Sequence, residues 1–445
     1  MKYEPNYIGK AETLYDERVK FSRLLYVLAA GLLWAQSASD PAAVGRKALD
    51  LLLAEKYSDL FQMFAPSLRD PKAIPEDALR RIGSTQVKPL GPAEKIGEPA
   101  VRKAGANTIV TIPVTFAAQG VNFLFAINPE GQVYIMNLQP GEVNWQHPPY
   151  SKADSFRERT VVAGEDDWKL PGTMTVPVGS GPFPGIVLVH DSGPLDRDET
   201  VGGTRVFKDL AEGLASRGVV VLRYEKRTRQ YSSRMTGQSG YTAQEETVDD
   251  AVAGAALLRG QKEVDPKRVF VLGHGLGGYL APRIAGDDDK LAGLVILAGP
   301  VRPIEDLMVE RSVNRGVTGK ELESVKALAA RVKALEPADG DAPPILGMPV
   351  PYLLDLKGYD PSAAAKKLTM PMLILQGERD IQATMKDLAL WKAALSARKD
   401  VVFHSYPALN HLMVAGEGKS TEAEYRKPGH VAPELIDDIA KWIVR

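Results

Sequence analysis

The sequence predicts an α/β chain: a doubly wound, mostly parallel sheet with a helical insertion, preceded by a small α+β domain. Three observations carry this expectation. Short apolar runs recur through the C-terminal half, I-V-L-V from 186, V-V-V-L from 219, V-F-V-L from 269, L-V-I-L from 294 and M-L-I-L from 372. Runs that are apolar at every position suit strands covered on both faces, as parallel strands are. Stretches of helical periodicity lie between those runs, whereas the N-terminal third places a helix first and β-branched strands after it.

Composition bounds the function. At 445 residues the chain is long enough for two or three domains. Apolar residues at 44% and charged residues at 25% are ordinary globular values. The 55 basic and 56 acidic residues leave a net charge of −1, so no overall field draws the chain to nucleic acid or an anionic membrane. A small-molecule partner is expected instead, with no nucleic acid. There is no cysteine, which removes disulfides, thiolate zinc sites, iron–sulfur clusters and a thiol nucleophile together. The six histidines include no H-E-x-x-H pair. No metal and no other cofactor is expected.

Residues 1–39 read as an N-terminal extension and signal peptide. Twelve apolar residues from Leu24 to Ala35 follow Lys20 and Arg23 and precede A-Q-S-A-S. A permanent membrane span would need about 20 apolar residues, so the expectation is a secreted or periplasmic protein whose mature chain starts near Ala38 to Asp40. Glu4, Glu12, Asp16 and Glu17 suit a signal sequence poorly, and a translation start at Val19 would remove them.

Residues 40–142 are expected to form the small domain. Asp40-Pro41 supplies a cap and a first-turn proline, and Val44, Ala48, Leu51, Leu52 and Leu60 recur at helical spacing, predicting one long helix. T-I-V-T-I-P-V-T-F, V-N-F-L-F-A-I and Q-V-Y-I-M-N-L then read as strands, the last two joined across Asn128 to Gly131. No catalytic constellation stands out there. Residues 143–160 are expected to be a linker, and 161–445 the α/β domain, with an insertion at about 300–367 where Val325, Leu328, Ala329, Val332 and Leu335 keep helical spacing; spacing alone reads as a helical excursion on the sheet, and the resemblance given below implies a cap insertion. Thr204 is expected to cap a helix with Phe207, Leu210 and Leu214 inward, and Thr242 with Glu245 to form a capping box.

In such a sheet, functional groups gather in loops after the carboxyl ends of strands. Here V-F-V-L leads into Gly273-His274-Gly275-Leu276-Gly277-Gly278, M-L-I-L into Gly377-Glu378-Arg379-Asp380, and V-V-F-H-S-Y into Pro407-Ala408-Leu409-Asn410-His411. The order is elbow, acid, histidine. Together with V-L-V-H-D-S-G-P-L-D-R-D-E from 187, V-L-R-Y-E-K-R from 221, D-P-K-R-V-F-V-L-G-H from 265, L-T-M-P-M-L-I-L-Q-G from 368 and L-N-H-L from 409, these loops make the C-terminal domain resemble the α/β-hydrolase family, in its secreted esterase branch. The N-terminal domain is similar to the small domain of unknown function that often precedes such hydrolases.

The resemblance implies a carboxylic ester hydrolase acting through an acyl-enzyme on a small ester or acyl substrate. His411 would be the base and Asp380 its orienting acid, with backbone N–H groups of Leu276 and Ser192 as the oxyanion hole. The family places serine in the middle of G-x-S-x-G; that position is Gly275 here. Glycine cannot form an acyl-enzyme. Two further residues depart from the pattern: Asp191, where the family usually has glycine, and Glu378. An inward carboxylate at 191 would oppose an oxyanion.

Other residues read more simply. His274 and His190 are expected to pack or fix loops, His404 sits mid-strand, Asp196, Arg197, Asp198 and Glu199 either tie a loop by ion pairs or are solvated, and Asp287 to Asp289 form a solvated turn. Three functional readings stay open: a serine-type esterase that has lost its nucleophile and is inactive or much weakened, a pseudoenzyme binding an ester or acyl ligand without turnover, and an enzyme using water or Ser192 instead. Oligomeric state is not legible in the sequence.

Overall fold

The structure, a computed structural model, describes residues 40–70, 77–116, 119–141, 145–164, 167–236 and 240–445. The expected signal peptide, within residues 1–39, lies outside them.

In the small domain, helix Pro41–Leu53 begins at Asp40, whose side chain accepts from the Ala42 amide. The expected single long helix stops at Leu53. Glu55 turns the chain at φ 56°, and Leu60 belongs to a second helix, Tyr57–Gln62. Five antiparallel strands follow: β1 (Ala93–Ile96), β2 (Ala100–Ala104), β3 (Asn107–Phe116), β4 (Gly120–Ile127) and β5 (Val133–Pro140). Every second residue of β3, from Val110 to Phe116, is buried and meets Ala48, Leu49 and Leu52 of the first helix. That period of two is what a sheet with one covered face requires.

The linker expected over 143–160 is shorter than that, because Phe156–Ala163 is already β6, the edge of the second sheet. Its remaining part is strapped to helix Val206–Ala215: the Trp145 indole donates to Asp209 at 2.7 Å and the Ser151 hydroxyl to Glu212 at 2.7 Å.

The second sheet has eight strands. After β6 come β7 (Leu170–Pro177), β8 (Phe183–Val189), the short hairpin of β9 (Thr200–Val201) and β10 (Thr204–Arg205), β11 (Val220–Tyr224), β12 (Val264–His274), β13 (Gly293–Leu297), β14 (Met372–Gly377) and β15 (Val401–Tyr406). The spatial order is β15-β14-β13-β12-β8-β11-β7-β6, with the hairpin separate; the first six run parallel, β7 runs antiparallel to β11, and β6 antiparallel to β7. Both faces are covered. Val187, Val271, Leu294, Ile296 and Ile374 face helices Asp249–Arg259, Leu276–Asp287 and Met385–Leu395, while Ile186, Leu188, Leu272, Val295 and Leu375 face helices Val206–Ala215 and Pro433–Val444. At about 1.5–3 kcal/mol for each fully buried aliphatic side chain, these two layers dominate the stability of the domain.

Two local expectations need correction. Thr204 does not cap a helix; it lies in the β9/β10 hairpin, and Arg205 precedes the helix without a side-chain cap. Asp288 is not solvated: it is buried against Arg259, so the acidic turn is anchored on one side. The Thr242 amide does donate to Glu245, at 2.8 Å. The insertion after β13 folds as helices Ile304–Asn314, Gly319–Lys333, Val350–Lys357 and Pro361–Lys366, with its own small core of Val332, Leu335, Ile345, Val350 and Leu353.

The chain leaves β8 toward β11 on one side and returns to β12 on the other, so the carboxyl ends of β8 and β12 flank the point where strand order reverses. Their register pairs Val189 with Gly273. The loop holding Asp191 and the turn holding Gly275 are thereby neighbours. Gly377 of β14 pairs with Tyr406 of β15, which does the same for the loops holding Asp380 and His411.

Candidate active site

The turn after β12 is sharp. Gly275 sits at φ 51° and ψ −112°, a conformation that strains any residue with a side chain, and its amide donates to Leu297 at 3.0 Å. Helix Leu276–Asp287 starts at the next residue. The backbone is that of a strand-to-helix elbow, buried and carrying no side chain.

His411 is 1% exposed and lies between two carboxylates. Its Nδ1 is 2.7 Å from Asp380 Oδ2, and its Nε2 is 3.1 Å from Asp191 Oδ2. Asp380 is itself held: the amides of Gln382 and Ala383 donate to Oδ1 at 2.7 and 3.1 Å, and the Gln376 side chain donates to Oδ2 at 3.1 Å. His274, also buried, places Nδ1 3.0 Å from Glu199 and Nε2 2.9 Å from the His411 carbonyl, fixing the histidine loop from below. His190 is buried against Phe207 and Tyr224, with Nε2 3.0 Å from the Asp196 carbonyl. Neither His274 nor His190 borders the cleft. His404 is half exposed and pairs with Asp438, and Glu378 accepts from the Ser405 hydroxyl.

Asp191 is the residue that changes the site. The Leu276 amide, one of the two expected oxyanion donors, donates to Asp191 Oδ1 at 2.7 Å. The carboxylate therefore points inward. Its own backbone is clamped, the amide donating to Glu199 at 2.8 Å and the carbonyl accepting from Lys226 Nζ at 2.8 Å. A Cβ built on Gly275 would fall far inside contact distance of this carboxylate, 2.8 Å from even the farther oxygen. Asp191 thus fills the volume that an elbow side chain would need. Ser192, the other expected donor, is exposed at the rim.

The acidic run after it is tied by ion pairs, Arg197 to Glu225 at 2.7 Å and Asp198 to Arg223 and Arg205. In front of Asp191 opens a cleft lined by Leu276, Tyr279, Pro300, Ile304, Leu307 and Leu356, with Arg302 and Arg311 as its cations. Residues 300–311 of the insertion form one wall, the placement expected of a cap.

Charge follows from this geometry. Burial works against a charged His411, but the Asp380 carboxylate and the Asp191 bond outweigh it and raise its pKa to about 10. Burial likewise opposes the Asp191 charge, and its bond to His411 with the nearby positive charges holds the carboxyl well below the usual range. His411 is therefore an imidazolium at neutral pH, unable to accept a proton. A raised histidine contributes stability that is whole below its unfolded pKa of about 6.5 and is lost as pH rises through about 10. A depressed carboxyl contributes above about 4 and loses that contribution in acid. An NMR titration of the imidazole nitrogens should find His411 doubly protonated at pH 8, and Asp191→Asn should move its midpoint down. A free-histidine midpoint in the parent protein would contradict the pairing.

The sequence marks Asp191 as a departure from pattern and Glu199 as one of the residues that could tie its loop, which it does by pairing with His274 and the Asp191 amide; it does not single out Lys226 and Arg311 as parts of the site. Lys226 lies in the stretch V-L-R-Y-E-K-R, whereas Arg311, in the insertion, carries no signal.

With an elbow turn, an acid and a histidine at three strand ends of a doubly wound sheet, the fold and site define an α/β hydrolase. The chain belongs to the alpha/beta hydrolase family, whose description matches residues 186–424. Esterase EstD of Thermotoga maritima is 39% identical to it over 341 residues, covering 76% of this chain and 80% of EstD. Among solved structures, an esterase of Pyrococcus furiosus has a TM-score of 0.43 at 16% identity, covering 68% of this chain and 94% of its own. Est1E from Butyrivibrio proteoclasticus has a TM-score of 0.44 at 15% identity, covering 64% and 99%.

Proposed function

We propose that the C-terminal domain takes a small ester or acyl ligand into the cleft under its cap, and that hydrolysis through a serine acyl-enzyme is abolished or much weakened. The observation that carries this reading is the Asp191 carboxylate, which stands beside Gly275, takes the Leu276 amide and holds His411 protonated. Each contact removes one part of serine catalysis: space for the hydroxyl, an oxyanion donor, and the base. Losing the nucleophile alone costs about a million-fold in rate in a well-studied serine hydrolase. The apolar run at 24–35 supports export as part of the same proposal, with the working compartment outside the cytoplasm.

The test uses p-nitrophenyl acetate and butyrate with a fluorophosphonate probe. The expected result is no labelling at position 275 and hydrolysis little above background, while short acyl ligands raise the melting temperature. Stoichiometric labelling of any serine, with matching loss of esterase activity, would overturn the reading.

A further inference from the structure

We propose that residues 145–155, which join the small domain to the hydrolase domain, form a pH-operated latch: two histidines pin the segment to one helix when protonated and loosen it when neutral. None of the latch residues lines the cleft, so the device stands apart from the ligand reading above.

The segment runs along helix Val206–Ala215. That helix presents Asp209 and Glu212, neighbours across one turn, and both side chains are buried. Besides the bonds from Trp145 to Asp209 and from Ser151 to Glu212, the Lys152 amide donates to the Ser216 hydroxyl at 2.9 Å. The Tyr150 ring lies so close over Gly213 that a Cβ there would stand 3.0 Å from it.

Each buried carboxylate also meets a histidine. In the segment itself, His147 Nδ1 is 2.8 Å from Glu212 Oε2. In the loop before helix Pro433–Val444, His430 Nδ1 is 3.1 Å from Asp209 Oδ2, to which the Val431 amide donates at 2.9 Å. The Trp145 ring stands edge-on to both imidazoles, with centroids 5.0 and 6.3 Å apart. The carboxylates are sealed, but 64% of the His147 side chain and 30% of the His430 side chain are exposed, so solvent protons reach the imidazoles.

The remaining charges do not balance the pair. Lys208 is 3.4 Å from Glu212 Oε1, but it is shared with Glu158 at 2.8 Å, and among the described residues that Glu212 oxygen has no hydrogen bond. Arg205 lies with Lys208 against the Trp145 ring, and Arg217, facing Tyr150, is paired with Asp437 at 2.6 Å. Burial raises the Tyr150 hydroxyl, which therefore stays neutral. With both imidazoles charged, each carboxylate has a cation of its own. With both neutral, two buried carboxylates share Lys208, which is costly, and the histidine bonds fall to roughly half their charge-assisted strength. Burial pushes the Asp209 carboxyl above its ordinary range despite His430, Val431 and Trp145. A carboxyl raised in the folded state contributes stability in acid and loses it as pH rises, the same direction as the histidines. The latch is therefore tight in mild acid and slack above neutrality.

The experiment follows amide hydrogen exchange of the full chain by mass spectrometry at about pH 5.5 and about pH 8, across which an ordinary imidazole changes charge. Rates are corrected for the intrinsic pH dependence of exchange. Peptides spanning 145–155, with the Lys152 amide as the direct reporter, are expected to be protected about tenfold or more better in acid. Helix Leu276–Asp287 is expected to show no change. His147→Gln combined with His430→Gln is expected to exchange in acid as the parent does at about pH 8. Equal protection of the segment at both pH values in the parent overturns the latch, whether or not the double variant folds. A pH response that survives the double variant overturns it too, as does one that helix Leu276–Asp287 shares.

Discussion

Gly275→Ser alone leaves ester hydrolysis within about tenfold of the parent, whereas Gly275→Ser combined with Asp191→Gly raises kcat/KM by about 10³-fold or more. The single change restores the family's residue but puts its Cβ into the Asp191 carboxylate. Either the new side chain or Asp191 must be displaced, and displacing Asp191 breaks its bonds to Leu276 and His411. Overpacking and lost charge-assisted bonds together cost about 1–3 kcal/mol, so the single variant also melts earlier. Any retained carboxylate near the Leu276 amide still repels a forming oxyanion and still keeps His411 protonated. The second change removes all three obstacles: volume opens at 275, the Leu276 N–H is released, and His411 keeps only Asp380 as a charged partner. Kinetics on p-nitrophenyl butyrate, with fluorophosphonate labelling at position 275, decide the matter. Full activity in the single variant would mean that Asp191 swings aside freely and does not define the site.

His411→Ala is expected to destabilise the fold by about 3–5 kcal/mol, because the cation shared by two carboxylates disappears. Asp380 is fully buried, and Asp191 meets water only where it borders the cleft. For a domain of this size about 2–4 °C is lost per kcal/mol, so calorimetry should find the melting temperature lower by roughly 6–20 °C. Ser192→Ala at the exposed rim should change stability by no more than about 0.5 kcal/mol. A loss below about 1 kcal/mol in His411→Ala would show that the carboxylates are solvated and that the charge array is not cohesive.

Much of the architecture is readable from short-range pattern. Apolar runs at 186, 269, 294 and 372 become central parallel strands because residues alternate between two covered faces and both must be apolar. Where the reading fails, a local signal meets a tertiary one. Thr204 has the chemistry of a cap, but pairing with Val201 draws it into a hairpin. Asp288 belongs to an acidic run that would be solvated alone, and Arg259, 29 residues earlier in the chain, buries it. Leu60 continues the helical spacing, yet the turn at Glu55 ends the helix before it.

The candidate site divides in the same way. Gly275, Asp380 and His411 are legible because each follows a strand whose carboxyl end must face the same crevice, so chain order alone brings them to one rim. That glycine at 275 lacks a hydroxyl is a property of the sequence by itself. The direction in which Asp191 points is not. It depends on the register that sets Val189 beside Gly273, on the space left by a missing side chain 84 positions away, and on donors from Leu276 and His411 that only folding brings within reach. Sequence determined that a serine is missing, and tertiary structure decided what stands in its place, because a buried carboxylate settles where it finds both a donor and a cation.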